Sequence, residues 1–312
     1  MEFIRPDVNI NFMGRRWIAI GLSLLVILIA IASLLYHRGP RYGIDFAGGL
    51  LVQVRFQQPT TAAQIREAFR GTDLPQPIVQ HAWEIGEKGQ HEYIIRLDLR
   101  KGTPEALTQA VRKALVSHFG SNALEVRRVE MVGPKVGRDL RVKGIKSIIF
   151  ALIGILIYIS WRFEFKFACG AVLALIHDVM ITIGAFSITN KEINLPIVAA
   201  FLAIIGYSLN DTIVVYDRIR ENRKKYRRMP FTDVINRSIN ETLSRTILTS
   251  GTTLLVVVAL FFLGGGVIHD FAFALLVGIL VGTYSSIFIA SPVVIFWQGR
   301  KERKGKGVPQ AA

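Results

Sequence analysis

The sequence predicts a membrane α-helical protein: a half-bundle of six transmembrane helices with one external ferredoxin-like α+β domain. Three observations predict it. Six apolar runs are each long enough to approach the roughly 20 residues that a helix needs to cross ~30 Å of hydrocarbon. Basic residues gather in alternate connections between those runs. One long polar stretch, residues 38–142, separates the first run from the rest and reads as alternating strands and helices.

The runs are residues 17–35, 145–161, 167–188, 196–216, 246–263 and 271–297. Short of a closed barrel, only a helix satisfies its backbone groups in lipid, so each run is expected to be helical. The last exceeds the need and must tilt or protrude. The 312 residues are 51% hydrophobic, too apolar for an ordinary soluble domain. The net charge of +15 would suggest nucleic acid in a soluble chain. Here the basic residues flank apolar runs, as cytoplasmic loops do, and no aromatic-plus-basic module is visible, so no nucleic acid is expected.

Charge sets the expected orientation. Arg5, Arg15 and Arg16 precede the first run, and Arg162 and Lys166 separate the second from the third. A dense cluster from Arg218 to Arg237 separates the fourth from the fifth, and Arg300 to Lys306 follow the sixth. The opposite short loops hold Lys191 or no basic residue, which places both termini in the cytoplasm. The expected order is a cytoplasmic N-terminus (1–16), a first helix (17–35), the external domain (38–142), a five-helix membrane bundle (145–297) and a basic cytoplasmic tail (298–312). Arg15-Arg16 with Ala30-Ile31-Ala32 imitates a signal peptide, but the run continues to Leu35, so an uncleaved anchor is expected.

Within 38–142, residues 50–56 alternate as a strand, and Thr61-Ala-Ala-Gln64 is a capping box opening a helix to about Phe69. Residues 78–84 form a second strand, Gly86 to Gly89 a turn, and residues 92–99 a third strand. Thr103 caps a helix with Pro104 at its first position, and residues 124–132 return as a strand. The order β-α-β-β-α-β is ferredoxin-like. His81, His91 and His118 are scattered without ligand spacing, and Cys169 stands alone in an apolar run, so no metal or cofactor is expected. Gly43-Ile-Asp-Phe-Ala-Gly-Gly49 is dense in glycine just past a membrane exit and reads as a hinge at Gly43, Gly48 and Gly49. No Lys-Ser/Thr follows, so it is not a phosphate loop.

The chemistry concentrates in the fourth and fifth runs. Asp211 lies inside an apolar run, where an ionised carboxylate costs roughly 2.5–3.5 kcal/mol or more. Tyr207, Ser208, Asp211 and Arg218 share one helical face, and Ser238, Glu241, Thr242, Arg245, Thr249 and Thr252 share another. Asp211 falls ~10 Å above the cytoplasmic boundary at 1.5 Å per residue, within reach of Arg245. Two readings stand: a proton relay built on Asp211 and Arg245, or a static pair pinning two helices. Asp178, with Tyr207, Ser208, Asn210 and Thr249, either joins the relay or only bonds across helices. Ala274, Gly278, Gly282, Ser286 and Ala290 recur every fourth residue, for internal packing or for a partner. His269 and Asp270 sit at a loop edge and are expected to be solvated. No Ser/His/Asp set or nucleotide loop is visible, so no enzyme is expected.

Several motifs together resemble the SecD/SecF family of protein-export membrane subunits, within the resistance-nodulation-division superfamily. They are Gly43 to Gly49, Val132-Gly-Pro-Lys-Val-Gly137, His177-Asp178-Val179, Gly206-Tyr-Ser-Leu-Asn-Asp-Thr-Ile-Val-Val-Tyr-Asp-Arg-Ile-Arg-Glu-Asn222, Thr242-Leu-Ser-Arg-Thr246 and Thr249-Ser-Gly-Thr-Thr253. The resemblance implies the SecF side of the family in a bacterial inner membrane, paired with a separate SecD. It further implies association with the SecY-SecE-SecG channel and often YajC and YidC, membrane lipid around the bundle, and an unfolded preprotein as substrate. It implies use of the proton gradient to complete export, with Asp211 and Arg245 matching the residues implicated in proton movement. A proton-driven small-molecule or lipid exporter of the same superfamily and a structural channel-stabilising subunit remain as alternatives.

Overall fold

The computed structural model describes residues 8–81, 91–97, 104–121 and 123–305. Its helical part begins with a short turn, Met13–Arg15, that runs into α1 (Arg16–Tyr36). A one-turn helix α2 (Ile44–Ala47) leads into a small domain: β1 (Gly49–Phe56), α3 (Ala62–Glu67), β2 (Ile78–His81), β3 (His91–Leu97), α4 (Pro104–Phe119) and β4 (Leu124–Val132). The long helices α5 (Pro134–Arg162), α6 (Phe165–Ile188), α7 (Leu195–Lys225), α8 (Phe231–Leu263) and α9 (Gly266–Ser285) follow. A π-helical turn, Ser286–Ala290, joins α9 to α10 (Ser291–Gly305). Among the described residues six helical stretches are long and apolar enough to cross a membrane.

The sheet is antiparallel in the order β2-β3-β1-β4, the ferredoxin-like arrangement. Alternation in β1 turns Leu50, Val52, Val54 and Phe56 inward against Ile65 and Phe69 of the α3 segment and Val111 and Leu115 of α4. The capping box forms as its spacing requires: Thr61 N donates to Gln64 Oε1 at 2.8 Å, and Gln64 N to Thr61 Oγ1 at 3.3 Å. The expected turn at Gly86 to Gly89, the Thr103 cap and the ends of the strands at 82–84 and 98–99 lie outside the described residues.

The long helices outrun the apolar stretches. α5 starts at Pro134, inside the range 38–142 assigned to the α+β domain, so the sheet leads almost directly into a spanning helix. α7 continues to Lys225 and α8 begins at Phe231, which makes most of the basic segment helical rather than a loop. A helix needs no lipid to propagate, and here Pro230, with an extended ψ of 139°, sets the start of α8. The sixth span is interrupted because Pro292 cannot donate a backbone hydrogen bond; the wide π turn before it absorbs that missing bond, and Ser291 Oγ donates to Ser286 O at 3.0 Å.

α6 and α7 are the most enclosed spans, while α1, α5 and α8 turn most of their surface outward. The small-residue stripe of the sixth span proves to be internal packing. Ala274, Ser286 and Ala290 are fully buried, and a side chain at Gly282 would stand 2.9 Å from Ser208 Cβ on α7.

Candidate functional site: a carboxylate and hydroxyl cluster in the bundle

Asp211 lies on the inner face of α7, 2% exposed. Ser250 Oγ of α8 donates to its Oδ2 at 3.2 Å. The same hydroxyl lies 2.8 Å from Thr283 Oγ1 of α9, so three helices meet at one hydroxyl. Arg245, a turn and a half toward the start of α8, is exposed. Among the described residues it forms no direct ion pair with Asp211. Ser250, not Arg245, makes the contact.

Asp178 of α6 is a second buried carboxylate within the helical bundle, with no exposed surface. Its Oδ2 accepts from Ser208 Oγ at 2.6 Å and from Ser285 Oγ at 2.8 Å, and its Oδ1 stands 2.9 Å from His177 Nδ1. Ser208 precedes Asp211 by three residues on α7, so the two carboxylates face one polar seam lined by α6, α7, α8 and α9. Most buried polar groups are hydrogen-bonded, and Asp178 meets that condition more fully than Asp211 does.

The other candidates divide. Ser208 belongs to the cluster. Tyr207 is half-buried, and its hydroxyl makes no hydrogen bond among the described residues. Asn210 is exposed, and Thr249 Oγ1 bonds back to Arg245 O and Thr246 O of its own helix, each at 3.0 Å. Asn210, Arg245 and Thr252 are exposed and lie outside the buried seam. Nearer the ends of α7 and α8, Glu241 is held by Asn222 Nδ2 at 2.8 Å, Arg237 Nε at 2.9 Å and Arg218 Nε at 3.5 Å.

Gly48 and Gly49 adopt φ of +78° and +142°, with ψ of 162° at Gly48, a region essentially reserved for glycine. A Cβ on Gly48 would stand 2.9 Å from Pro134 Cα, and one on Gly49 2.7 Å from Leu97 O. Gly43 has an ordinary φ of −69°, but Asn194 Cβ would approach its missing side chain to 3.1 Å. The segment is pinned to the α6–α7 connection: Gly43 N donates to Ile193 O at 2.8 Å, Ile193 N to Arg41 O at 2.7 Å and Leu195 N to Asp45 Oδ2 at 2.8 Å. Lys191 pairs with Asp270 at 2.5 Å, and His269 Nδ1 lies 2.8 Å from Phe261 O, so both loop-edge residues are partnered rather than simply solvated.

Sequence reasoning passed over Ser250, Ser285 and Glu192. Ser250 continues a four-residue repeat from Thr242 through Thr246. Ser285 sits in a run of hydroxyls, Tyr284-Ser285-Ser286, inside an otherwise apolar stretch. Glu192 carries no local signal, because its partner is distant in sequence.

Comparison with known proteins places this arrangement. A model of the family described as "Protein export membrane protein SecD/SecF, C-terminal" matches residues 111–300, and one described as "SecD/SecF GG Motif" matches residues 33–60. The chain is 49% identical to the "Protein translocase subunit SecF" of Magnetococcus marinus over 97% of each chain. It is 43% identical to that of Vibrio alginolyticus, over 94% of this chain and 91% of the relative. The crystal structure of SecDF from a Thermus species superposes with a TM-score of 0.85 at 37% identity, covering 96% of this chain. This chain spans 40% of the length of that SecDF. SecDF in a "Super-membrane-facing form" matches with a TM-score of 0.70 at 36% identity, over 96% of this chain and 40% of that one. The chain belongs to the SecD/SecF family of protein-export membrane proteins, and within it is similar to the SecF translocase subunits.

Proposed function

We propose that the chain is the SecF-type accessory subunit of a bacterial Sec translocase, working beside SecD to draw on the proton motive force and complete preprotein export. Asp211 takes up and releases the proton. The observation that carries this reading is a carboxylate 2% exposed at membrane depth, with one hydroxyl donor and no direct counter-ion among the described residues. Such a group is costly as an anion and gains from protonation, so its charge is the quantity a gradient can change. The Arg245 guanidinium, not in direct contact, opposes protonation from a distance. A shift of α8 that alters the Ser250 contact changes how strongly the arginine acts.

Asn210 and Arg245, exposed on the outside of the bundle, support a partner there, because lipid does not satisfy them. SecD, carrying the other half-bundle, fits that place. Beyond it we place the SecY-SecE-SecG channel and often YajC and YidC, with both termini in the cytoplasm and the α+β domain outside, where it meets the unfolded preprotein. The gradient supplies about 2.3 kcal/mol per charge per 100 mV, enough to bias a two-state element. Replacing Asp211 by Asn tests the reading. A proton-coupled subunit still assembles but no longer supports gradient-dependent export; a scaffold supports it as before.

A further inference from the structure

The α+β domain hangs from the bundle by a narrow strap. Its chain enters at Gly48-Gly49 and leaves at Gly133, and the two crossing points are neighbours, since Gly49 pairs with Val132 across β1 and β4. Adjacent strands lie only ~4.8 Å apart, so such an attachment resists pulling better than rotation. The entering glycines hold backbone angles that only glycine adopts readily, and they touch the end of β3 and the start of α5.

To one side of that strap stands Arg96 on β3, opposite Leu51 of β1. Its guanidinium pairs with Glu192, in the connection that opens α7. The two side chains are 10% and 18% exposed, which makes the contact largely buried. Arg41, just ahead of the strap, adds a longer contact to the same carboxylate at 3.7 Å. Three residues beyond Glu192, the first turn of α7 is capped by Asp45. Burial pushes the Glu192 carboxyl above its ordinary value, while Arg96 and Arg41 draw it back.

We propose that Arg96 and Glu192 are positioning residues whose ion pair latches the α+β domain against the outer end of α7. When the pair opens, the domain swings about Gly48, Gly49 and Gly133. The latch joins the domain to the same helix that carries Asp211, yet its existence does not depend on proton movement at that residue. Lys191 and Asp270, beside it, tie the α6–α7 connection to α9 and do not reach the domain.

The test uses the full chain in lipid nanodiscs with Cys169→Ser as background. Spin labels go on exposed positions of the domain (Arg127→Cys) and of the outer end of α9 (Val267→Cys). Pulsed dipolar spectroscopy is expected to give one narrow distance in the parent. Glu192→Gln and Arg96→Gln should each shift and broaden it. Arg96→Lys should restore it in part, and Lys191→Gln should leave it unchanged. Should Glu192→Gln fail to fold, Arg96→Gln reads the same pair. The proposal is overturned if either neutral variant, folded, gives the parental distribution, or if Lys191→Gln moves the distance as far as they do.

Discussion

Ser208 Oγ donates to Asp178 Oδ2 at 2.6 Å, from a point three residues ahead of Asp211 on the same helix. The bond ties α6 to α7 beside Asp211, which has a single hydroxyl donor among the described residues, and so sets apart the surroundings of the two carboxylates. Asp178 is held from several sides, which supports a fixed joint under the proposed function, whereas Asp211 has one hydroxyl donor, which supports the reversible role proposed for it.

Asp178→Asn should therefore be mild. The remaining oxygen can accept from Ser208 and Ser285, and the new amide can face His177. Asp178→Ala leaves those groups unpaired in a dry interior, where each orphan costs about 1–3 kcal/mol. Thermal unfolding in detergent should show a small shift for the first variant and a large one for the second.

Ser250→Ala removes the hydroxyl that reaches Asp211 from α8. Assembly should persist, because the residue is small and its helix contacts remain. Gradient-dependent export measured in membrane vesicles should fall several-fold, while export supported by ATP alone stays near the parental rate.

Gly49→Ala places a side chain on a backbone with φ of +142°, 2.7 Å from Leu97 O. Strain of this kind costs roughly 1–3 kcal/mol, with steric displacement of β3 in addition. Limited proteolysis should then cut within the α+β domain faster than in the parent, and the melting temperature should drop. Gly71→Ala, also at positive φ but with nothing close to the added carbon, isolates the contribution of strain alone.

Glu192 titrates above the ordinary glutamate range because burial outweighs the pull of Arg96 and Arg41. Arg41→Gln leaves the Arg96 pair in place and removes one of those pulls, so the carboxyl should move higher still. Arg96→Gln opens the latch, lets water reach the carboxyl and should bring it back toward the ordinary range. Infrared difference spectra against a Glu192→Gln background read the shift directly.

Much of this was legible in the sequence, for physical reasons. The bilayer sets a minimum length for apolar runs, so six spans could be counted. The period of two in residues 50–56 and the Thr61–Gln64 capping box marked the first strand and first helix of the α+β domain, because both signals are local. The helix ends were not legible: Pro134 and Lys225 lie in polar sequence, and hydropathy is silent where a helix leaves the membrane. At the site, Asp211, Asp178 and Ser208 stood out as polar residues in apolar runs. That Ser250 rather than Arg245 touches Asp211 depends on the rotation of α8 against α7, which no spacing within one helix reveals. The Arg96–Glu192 pair joins residues of two separate domains and becomes visible only when both are placed.

The central claim is that the charge on Asp211 is reversible under working conditions. Infrared difference spectroscopy of the reconstituted protein across the physiological pH range tests it most directly, with Asp211→Asn as the reference. The account predicts a carbonyl band of the protonated acid that rises and falls with pH and is missing from the variant. A band that never changes, or an identical change in the variant, would contradict it.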